Sequence, residues 1–187
     1  MFYQIKRTAI WLRRCPHSRG FGVQSPFAYW FIRYVVNEHY PYYAYDDLRH
    51  SIPGLDRKRR RLCQLYFRIA NYAQTDEWWE MAPEDFAVSA YVKAGCHKTR
   101  LTRDAEHPGV IRMAMAGDPI ATFEQCVVKA SQKTLLIVEG IHRDKSTLRL
   151  WRKMKNDNRT GISFDLYSCG ILFFDKKRIK QHYIVNF

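Results

Sequence analysis

The sequence predicts an α/β fold with a mainly parallel sheet and an antiparallel hairpin at its C-terminal edge. Apolar, strand-like stretches alternate with amphipathic stretches of helical period through most of the chain. Residues 134–138, TLLIV, form a continuous apolar run, which is typical of a parallel strand buried on both faces. The chain then ends in strand-like stretches with turns between them, which predicts antiparallel pairing.

The elements of this core follow in order from residue 73. A short strand at 78–81 leads through a loop to a helix over 86–94, and a second strand is predicted at 109–115, GVIRMAM. No convincing strand is predicted between residues 93 and 109, where the sequence is polar. Helices are predicted at 121–130 and 144–157, on either side of TLLIV. The closing strands are ISFDLY, GILFF and HYIVNF.

The first 72 residues are predicted to be a helical N-terminal extension of the core at 73–187, with both parts in a single domain. Residues 2–14 place Phe2, Ile5, Ala9 and Leu12 at helical spacing. This helix either packs on its own domain or contacts a membrane surface or partner. A loop rich in Gly and Pro follows, then helices at 27–38 and 56–73. The tyrosine-rich stretch at 39–48 is interpreted as half-buried packing.

The formal net charge of +13 favours contact with nucleic acid, anionic lipid or acidic proteins. The alternative is a set of ordinary solvated basic faces. Cations at a helix start oppose the helix dipole, which favours a phosphate-binding role for the run at 57–61. The predicted RNA- or polyanion-binding residues are therefore Arg57, Lys58, Arg59, Arg60 and Arg61, with a second basic segment at 175–182, DKKRIKQH.

Cysteine usage and hydropathy predict a cytoplasmic protein. The five cysteines are far apart, no pair has the spacing of a metal site, and reduced thiols are the simplest interpretation. No apolar run approaches the ~20 residues of a membrane span, and no signal peptide is recognisable.

Three stretches carry a resemblance to a known family. They are GFGVQSPFAYWFI at 20–32, EMAPEDFAVSAYV at 80–92, and the closing part, VEGIHRDKS at 138–146 with residues 164–187. Together they resemble class I S-adenosylmethionine-dependent methyltransferases, in particular a bacterial group with a helical N-terminal extension. The resemblance implies a Rossmann-like methyltransferase fold and S-adenosylmethionine as cofactor. It implies cofactor-binding roles for Glu80, Ala82 and Asp118 and catalytic roles for Glu139 and His142, with no metal.

The sequence departs from this family where the cofactor would bind. Ala82 and Phe86 stand at the two glycine positions of the first motif, where glycine lets the backbone approach the cofactor. Pro83 removes a backbone donor, and Glu84 and Asp85 add carboxylates beside the place expected for the cofactor's own carboxylate.

The departures extend beyond that loop. One strand and its connection are missing, so a reduced sheet is expected. Phe86 is predicted to be buried where the cofactor would lie. The sequence therefore predicts a degenerate methyltransferase-like protein with weakened or lost cofactor binding. The alternatives are a basic RNA- or polyanion-binding module and a pairing subunit for an intact methyltransferase.

Overall fold

The centre of the protein is a seven-stranded sheet with strand order β2-β1-β3-β4-β6-β5-β7. The computed structural model describes Arg14 and residues 22–187. The strands are β1 (Glu77–Glu80), β2 (Arg100–Thr102), β3 (Val110–Ala114), β4 (Leu135–Glu139), β5 (Ser163–Asp165), β6 (Cys169–Phe173) and β7 (His182–Ile184). The helices are α1 (Pro26–Phe31), which continues as a π-helical turn (Ile32–Val36), α2 (Tyr43–Ser51), α3 (Arg57–Ala73), α4 (Phe86–Gly95), α5 (Pro119–Lys129) and α6 (Lys145–Asn156).

The sheet is mainly parallel, as the sequence predicts. Strands β2, β1, β3 and β4 pair in parallel, and β7 pairs in parallel with β5. The antiparallel strand, β6, lies inside the sheet between β4 and β5, so the predicted position at the edge is wrong. All strands except β6 run in the same direction, and their carboxyl ends therefore lie at one edge of the sheet.

Helices cover both faces of the sheet. On one face α1 to α4 pack on Trp78, Val110 and Ile137; on the other, α5 and α6 pack on Ile111 and Val138. Neighbouring residues of β3 and β4 enter opposite cores, because side chains alternate across a strand. The described residues before 73 share the first core with the sheet, so this part of the predicted extension is integral to the fold.

Aspartates begin most of these helices. Asp56, Asp85 and Asp144 accept hydrogen bonds from backbone N–H groups in the first turns of α3, α4 and α6. Such caps satisfy donors that have no partner within the helix. At α6 the cap is reciprocal, because the Thr147 hydroxyl accepts from the Asp144 N–H at 3.1 Å.

Two glycines permit close packing between elements. A Cβ on Gly95 would lie 2.2 Å from the backbone oxygen of Phe67, so α4 approaches α3 closely only with glycine there. A Cβ on Gly170 in β6 would lie 2.4 Å from the Trp151 ring. Trp151 is buried in α6, and this glycine makes room for its indole.

Several predicted elements need correction. Strand β2 forms within the stretch for which no strand was predicted, and α2 forms in the tyrosine-rich stretch. Seven strands also make the sheet wider than the reduced sheet that was expected. The predicted N-terminal helix at 2–14 lies outside the described residues apart from Arg14, and so does the part of the following loop at 15–21.

Candidate functional site

The order in which successive strands are added to the sheet reverses between β1 and β3. From β1 it passes through α4 to β2 on one side, and then returns to β3 on the other side. Helices α4 and α5 lie on opposite faces, so a crevice is expected at the carboxyl ends of β1 and β3. Open α/β sheets bind ligands at this point, which makes it the candidate site.

Arg112 occupies this point. It lies in β3 in register with Glu80, the last residue of β1, and its side chain is 2% exposed. The guanidinium Nε donates to Glu80 Oε2 at 3.0 Å, and Nη1 donates to Glu139 Oε1 at 2.9 Å. Nη2 donates to the carbonyl oxygen of Pro83 at 3.1 Å. One side chain thus joins the ends of β1, β3 and β4 to the loop before α4.

Helix α3 adds a second layer of polar contacts. The Tyr66 hydroxyl donates to Glu139 Oε1, and Arg59 Nη1 lies 3.6 Å from the same oxygen. Arg59 also pairs with Asp85, the residue that caps α4. The resulting network contains Glu80, Arg112, Glu139, Tyr66, Arg59 and Asp85, and is called the crevice network below.

The β1–α4 loop is bound to the same strands through its backbone. The N–H groups of Met81 and Ala82 donate to the carbonyl oxygen of Arg112, at 2.9 and 3.0 Å. Ala82 is fully buried, and its carbonyl oxygen accepts from Arg103 Nη1 at 2.8 Å. These backbone groups already have protein partners and are not free to bind a ligand.

Burial sets the protonation behaviour of the network. It raises the pKa of Glu80 to about 7, with a further upward push from Glu139, although the Arg112 guanidinium acts in the opposite direction. Burial also raises the pKa of Tyr66 well above its ordinary value, and the Glu139 charge adds to this effect. The pKa of Arg112 is raised because the charges of Glu139 and Glu80 outweigh the cost of burial. Arg112 is therefore a permanent cation, and Glu80 is the member that titrates near neutral pH.

A second polar cluster lies further along the same edge. His142 Nε2 lies 2.7 Å from Asp165 Oδ2, and Arg14 Nη2 donates to Asp165 Oδ1 at 2.8 Å. The Tyr167 ring stacks on the His142 ring, with 4.9 Å between centroids. The pKa of Asp165 is lowered, because hydrogen bonds and charge from His142 and Arg14 outweigh burial. A carboxylate can orient an imidazole for proton transfer in this way, but no side-chain hydroxyl or thiol hydrogen-bonds His142 in the described structure.

The predicted site residues separate into different environments. Glu80 and Ala82 lie at the candidate site, and Glu139 belongs to the crevice network. His142 instead pairs with Asp165 in the second cluster. Asp118 is exposed and accepts from Ile120 and Ala121 N–H groups, both at 3.1 Å, so its observed contacts are those of the α5 cap.

The prediction that Phe86 is buried at the cofactor position is wrong. Phe86 is the first residue of α4, and 75% of it is exposed. The buried face of α4 is formed by Ala87, Val88, Tyr91 and Val92, and with about 3.6 residues per turn Phe86 lies on the opposite side of the helix. The crevice is closed by Arg112 and not by a phenyl ring.

The basic run 57–61 does not form one uniform surface. Arg57, Lys58 and Arg61 are exposed, whereas Arg59 points into the crevice network and Arg60 is half-buried. Arg61 also lies over the Phe187 ring, 4.8 Å from its centroid. Arg59 therefore does not lie on a common surface with Arg57, Lys58 and Arg61.

Sequence reasoning did not identify Arg112, Arg59, Tyr66 or Asp165 as parts of these clusters. One signal was present in GVIRMAM, where a lone arginine interrupts an otherwise apolar strand. A charge at a buried strand position needs a buried counter-charge. The identity of that partner depends on strand order, which the local sequence does not contain.

Other types of site have little support in the described residues. Two surface depressions of about 310 and 240 Å³ lie elsewhere, one beside Tyr34 and one beside Phe174. Within Arg14 and 22–187, no group of three or more His, Cys, Asp or Glu residues could hold a metal ion. Among the helices of that part of the chain, none has the length and apolar character needed to cross a membrane. Its four cysteines are free and buried.

Fold and site together define an α/β protein with a mostly parallel, Rossmann-like sheet whose crossover point is occupied by its own side chains. No protein-family model matches the chain, and no curated protein matches it.

Proposed function

We propose that this protein is a methyltransferase-like α/β protein that neither binds S-adenosylmethionine nor transfers a methyl group. The sequence resemblance supports the methyltransferase-like part, together with the mostly parallel sheet and its crossover between β1 and β3. The loss of cofactor binding is supported by one observation above all. The Arg112 guanidinium lies, almost fully buried, where the crevice of such a sheet is expected.

Opening this crevice would carry a large free-energy cost. A ligand at the end of β1 would have to displace Arg112 from Glu80, Glu139 and the Pro83 carbonyl. Breaking a buried ion pair by removing one partner typically costs about 3–5 kcal/mol, because a charge is left without compensation. A cofactor would have to supply this energy before gaining any affinity.

The loop also lacks the features that would hold a cofactor. Ala82 is buried against the sheet, and no residue between 81 and 86 has the positive φ that a glycine loop uses. Asp85 already caps α4, since its carboxylate accepts from Val88 N–H at 3.1 Å. In the crevice network the three carboxylates are paired with the two guanidinium groups, so neither guanidinium is free to bind the cofactor's carboxylate. The residues present do not fit S-adenosylmethionine.

Isothermal titration calorimetry with S-adenosylmethionine tests this function. We expect no saturable heat from this protein, whereas an intact methyltransferase measured beside it should bind. Thermal unfolding provides a second readout, because a ligand at 100 times its Kd stabilises the folded state by about 2.7 kcal/mol. Micromolar affinity, or a melting temperature that rises with S-adenosylmethionine, would show that the crevice opens and that the proposal is wrong.

A second function, binding of a polyanion such as RNA, is favoured by the charge of the chain. The formal net charge is +13, and exposed cations such as Arg57 and Lys58 have no ion pair in the described structure. Binding of this kind weakens steeply with salt, because it depends on release of counterions. Chromatography on immobilised heparin tests the class of ligand. Retention that does not change with ionic strength would exclude an electrostatic mechanism.

A further inference from the structure

The outer face of α6 carries a row of cations. Trp151, Met154 and Thr147 are buried beneath the helix. Lys145, Arg149 and Arg152 follow one another at i, i+4 and i+7 on the opposite side, and all three are exposed. Over this interval the helix rises about 10 Å, so the row is regularly spaced along its axis.

The side chains of this row form no ion pairs in the described structure. No ion pair involves Lys145, Arg149, Arg152 or Lys153 within the part of the chain that the structure describes. The nearest acidic residue in sequence, Asp144, caps the helix and accepts from Thr147 N–H at 2.9 Å. At the other end of α6, Asp157 pairs with Arg159 at 2.7 Å.

The fold places a second basic segment beside the C-terminal end of α6. Lys180 Nζ donates to the carbonyl oxygen of Asp157 and, at 3.2 Å, to the Thr160 hydroxyl, both just beyond the helix. The adjoining residues Lys176, Lys177 and Arg178 are exposed. The α6 row and the basic segment 176–182, which meet where Lys180 contacts the residues just after the helix, are called the α6 surface below.

The chemistry of this surface limits what it can bind. All exposed residues of α6 are polar: Lys145, Ser146, Arg149, Arg152, Lys153 and Asn156. A membrane-surface helix needs an exposed apolar face, and a protein interface needs apolar or aromatic anchors. A single strand is held by bases stacked on aromatic rings, but Trp151 is buried. In the adjoining segment Ile179 is exposed, and a lone apolar side chain is ordinary on a protein surface.

We propose that the α6 surface binds the phosphate backbone of double-stranded nucleic acid, independently of base sequence. A duplex presents a dense, regular row of negative charge, which matches a rigid row of cations without requiring apolar contacts. This inference rests on the polyanion-binding function and identifies its surface and ligand. It moves that function from the predicted run at 57–61 to α6 and residues 176–182.

Fluorescence anisotropy with labelled duplex RNA and duplex DNA of about 20 base pairs, two helical turns, tests the proposal. The variant K145Q/R149Q/R152Q should weaken binding at least about tenfold and reduce the salt slope of log K by about 3. The matched control, R33Q/R49Q/K93Q, removes the same charge from exposed positions on the helices that cover the opposite face of the sheet and should bind like the unaltered protein. Equal melting temperatures for both variants would show that the changes act on binding and not on folding.

The other outcomes separate this inference from the function on which it rests. If the two variants lose affinity equally, binding follows net charge. The α6 surface is then not the binding site, while the proposal of polyanion binding stands. If the unaltered protein binds neither heparin nor either duplex at low salt, both proposals fail. Stronger binding to single-stranded RNA, phosphatidylserine vesicles or polyglutamate than to the duplexes would also overturn the choice of ligand.

Discussion

Arg112 and Glu80 face each other in register across β3 and β1, with 3.0 Å between the guanidinium Nε and the carboxylate Oε2. The pair stands at the crossover of the sheet, where related folds leave space for a ligand. The same arginine reaches Glu139 at 2.9 Å, so it joins three parallel strands at their carboxyl ends. The side chains at this position therefore contribute to the stability of the fold. Their contribution to the free energy of unfolding can be measured without a known ligand.

Arg112→Met should destabilise the protein by about 3–5 kcal/mol, because Glu80 and Glu139 would lose their buried counter-charge. Urea unfolding followed by circular dichroism measures the change. Arg100→Met is the matched control: Arg100 also pairs with a glutamate, Glu77 at 2.8 Å, but its side chain is 72% exposed. An exposed pair contributes about 0–1 kcal/mol. Equal losses in the two variants would contradict the structural role of Arg112.

Glu80 should make stability depend on pH between about 4.5 and about 7, its ordinary and folded pKa values. The folded state holds the Glu80 proton more tightly than the unfolded state, so this contribution is present below pH 4.5 and is lost as pH rises through 7. Glu80→Gln should remove that loss and flatten the pH profile of unfolding free energy. Unfolding experiments across this range measure the slope.

Glu77→Gln is the control for the pH profile, because the pKa of Glu77 is shifted in the opposite direction from the pKa of Glu80. Hydrogen bonding by the His107 backbone N–H, with help from Arg100, lowers the pKa of Glu77. Stability from Glu77 is present above its ordinary pKa and is lost as pH falls through the lowered value. A Glu80→Gln profile that keeps the original slope between pH 4.5 and 7 would refute the prediction for Glu80.

Gly170→Ala should destabilise the protein by about 1–3 kcal/mol, the usual range for an overpacked core. The new Cβ would lie 2.4 Å from the Trp151 ring, which is buried and cannot move aside. Gly54→Ala is the control, since a Cβ there would meet nothing within 4 Å. Thermal unfolding compares the two. In a Trp151→Phe background the Gly170→Ala cost should decrease, and an unchanged cost would show that the indole is not the obstacle.

Phe86→Ala should change stability by no more than about 0.5 kcal/mol, as expected for an exposed site. The same substitution at Phe31, which is fully buried in the core, should cost about 3–5 kcal/mol. Urea unfolding of both variants measures the difference. A large loss at Phe86 would mean that the ring is covered in solution, as the sequence analysis expected.

The local sequence predicted most elements of the fold. The runs GVIRMAM and TLLIV became the buried strands β3 and β4, and the amphipathic stretches became α3, α4, α5 and α6. Strand β2 was missed because it has only three residues and none is fully buried, so it lacks an apolar signal. Pairing with β1, and not the hydrophobicity of its own residues, holds this segment in a strand.

The candidate site was predictable only in part. Glu80 and Glu139 were located through the family resemblance, and both end strands at the carboxyl edge of the sheet. Their common partner was not located, since Arg112 is 32 residues from Glu80 and 27 from Glu139. Phe86 was misplaced because the buried face of α4 is formed by Ala87, Val88, Tyr91 and Val92, on the opposite side of the helix from Phe86.

The sequence by itself determined the α/β class and the high positive charge, since periodicity and composition are local properties of the chain. The tertiary structure decided the strand order, the burial of Arg112 and the separation of Arg59 from its exposed neighbours. It also brought Lys180 to the C-terminal end of α6, where its ammonium contacts Asp157 and Thr160. Such arrangements depend on long-range strand pairing, which is selected by the whole core and not by any one segment.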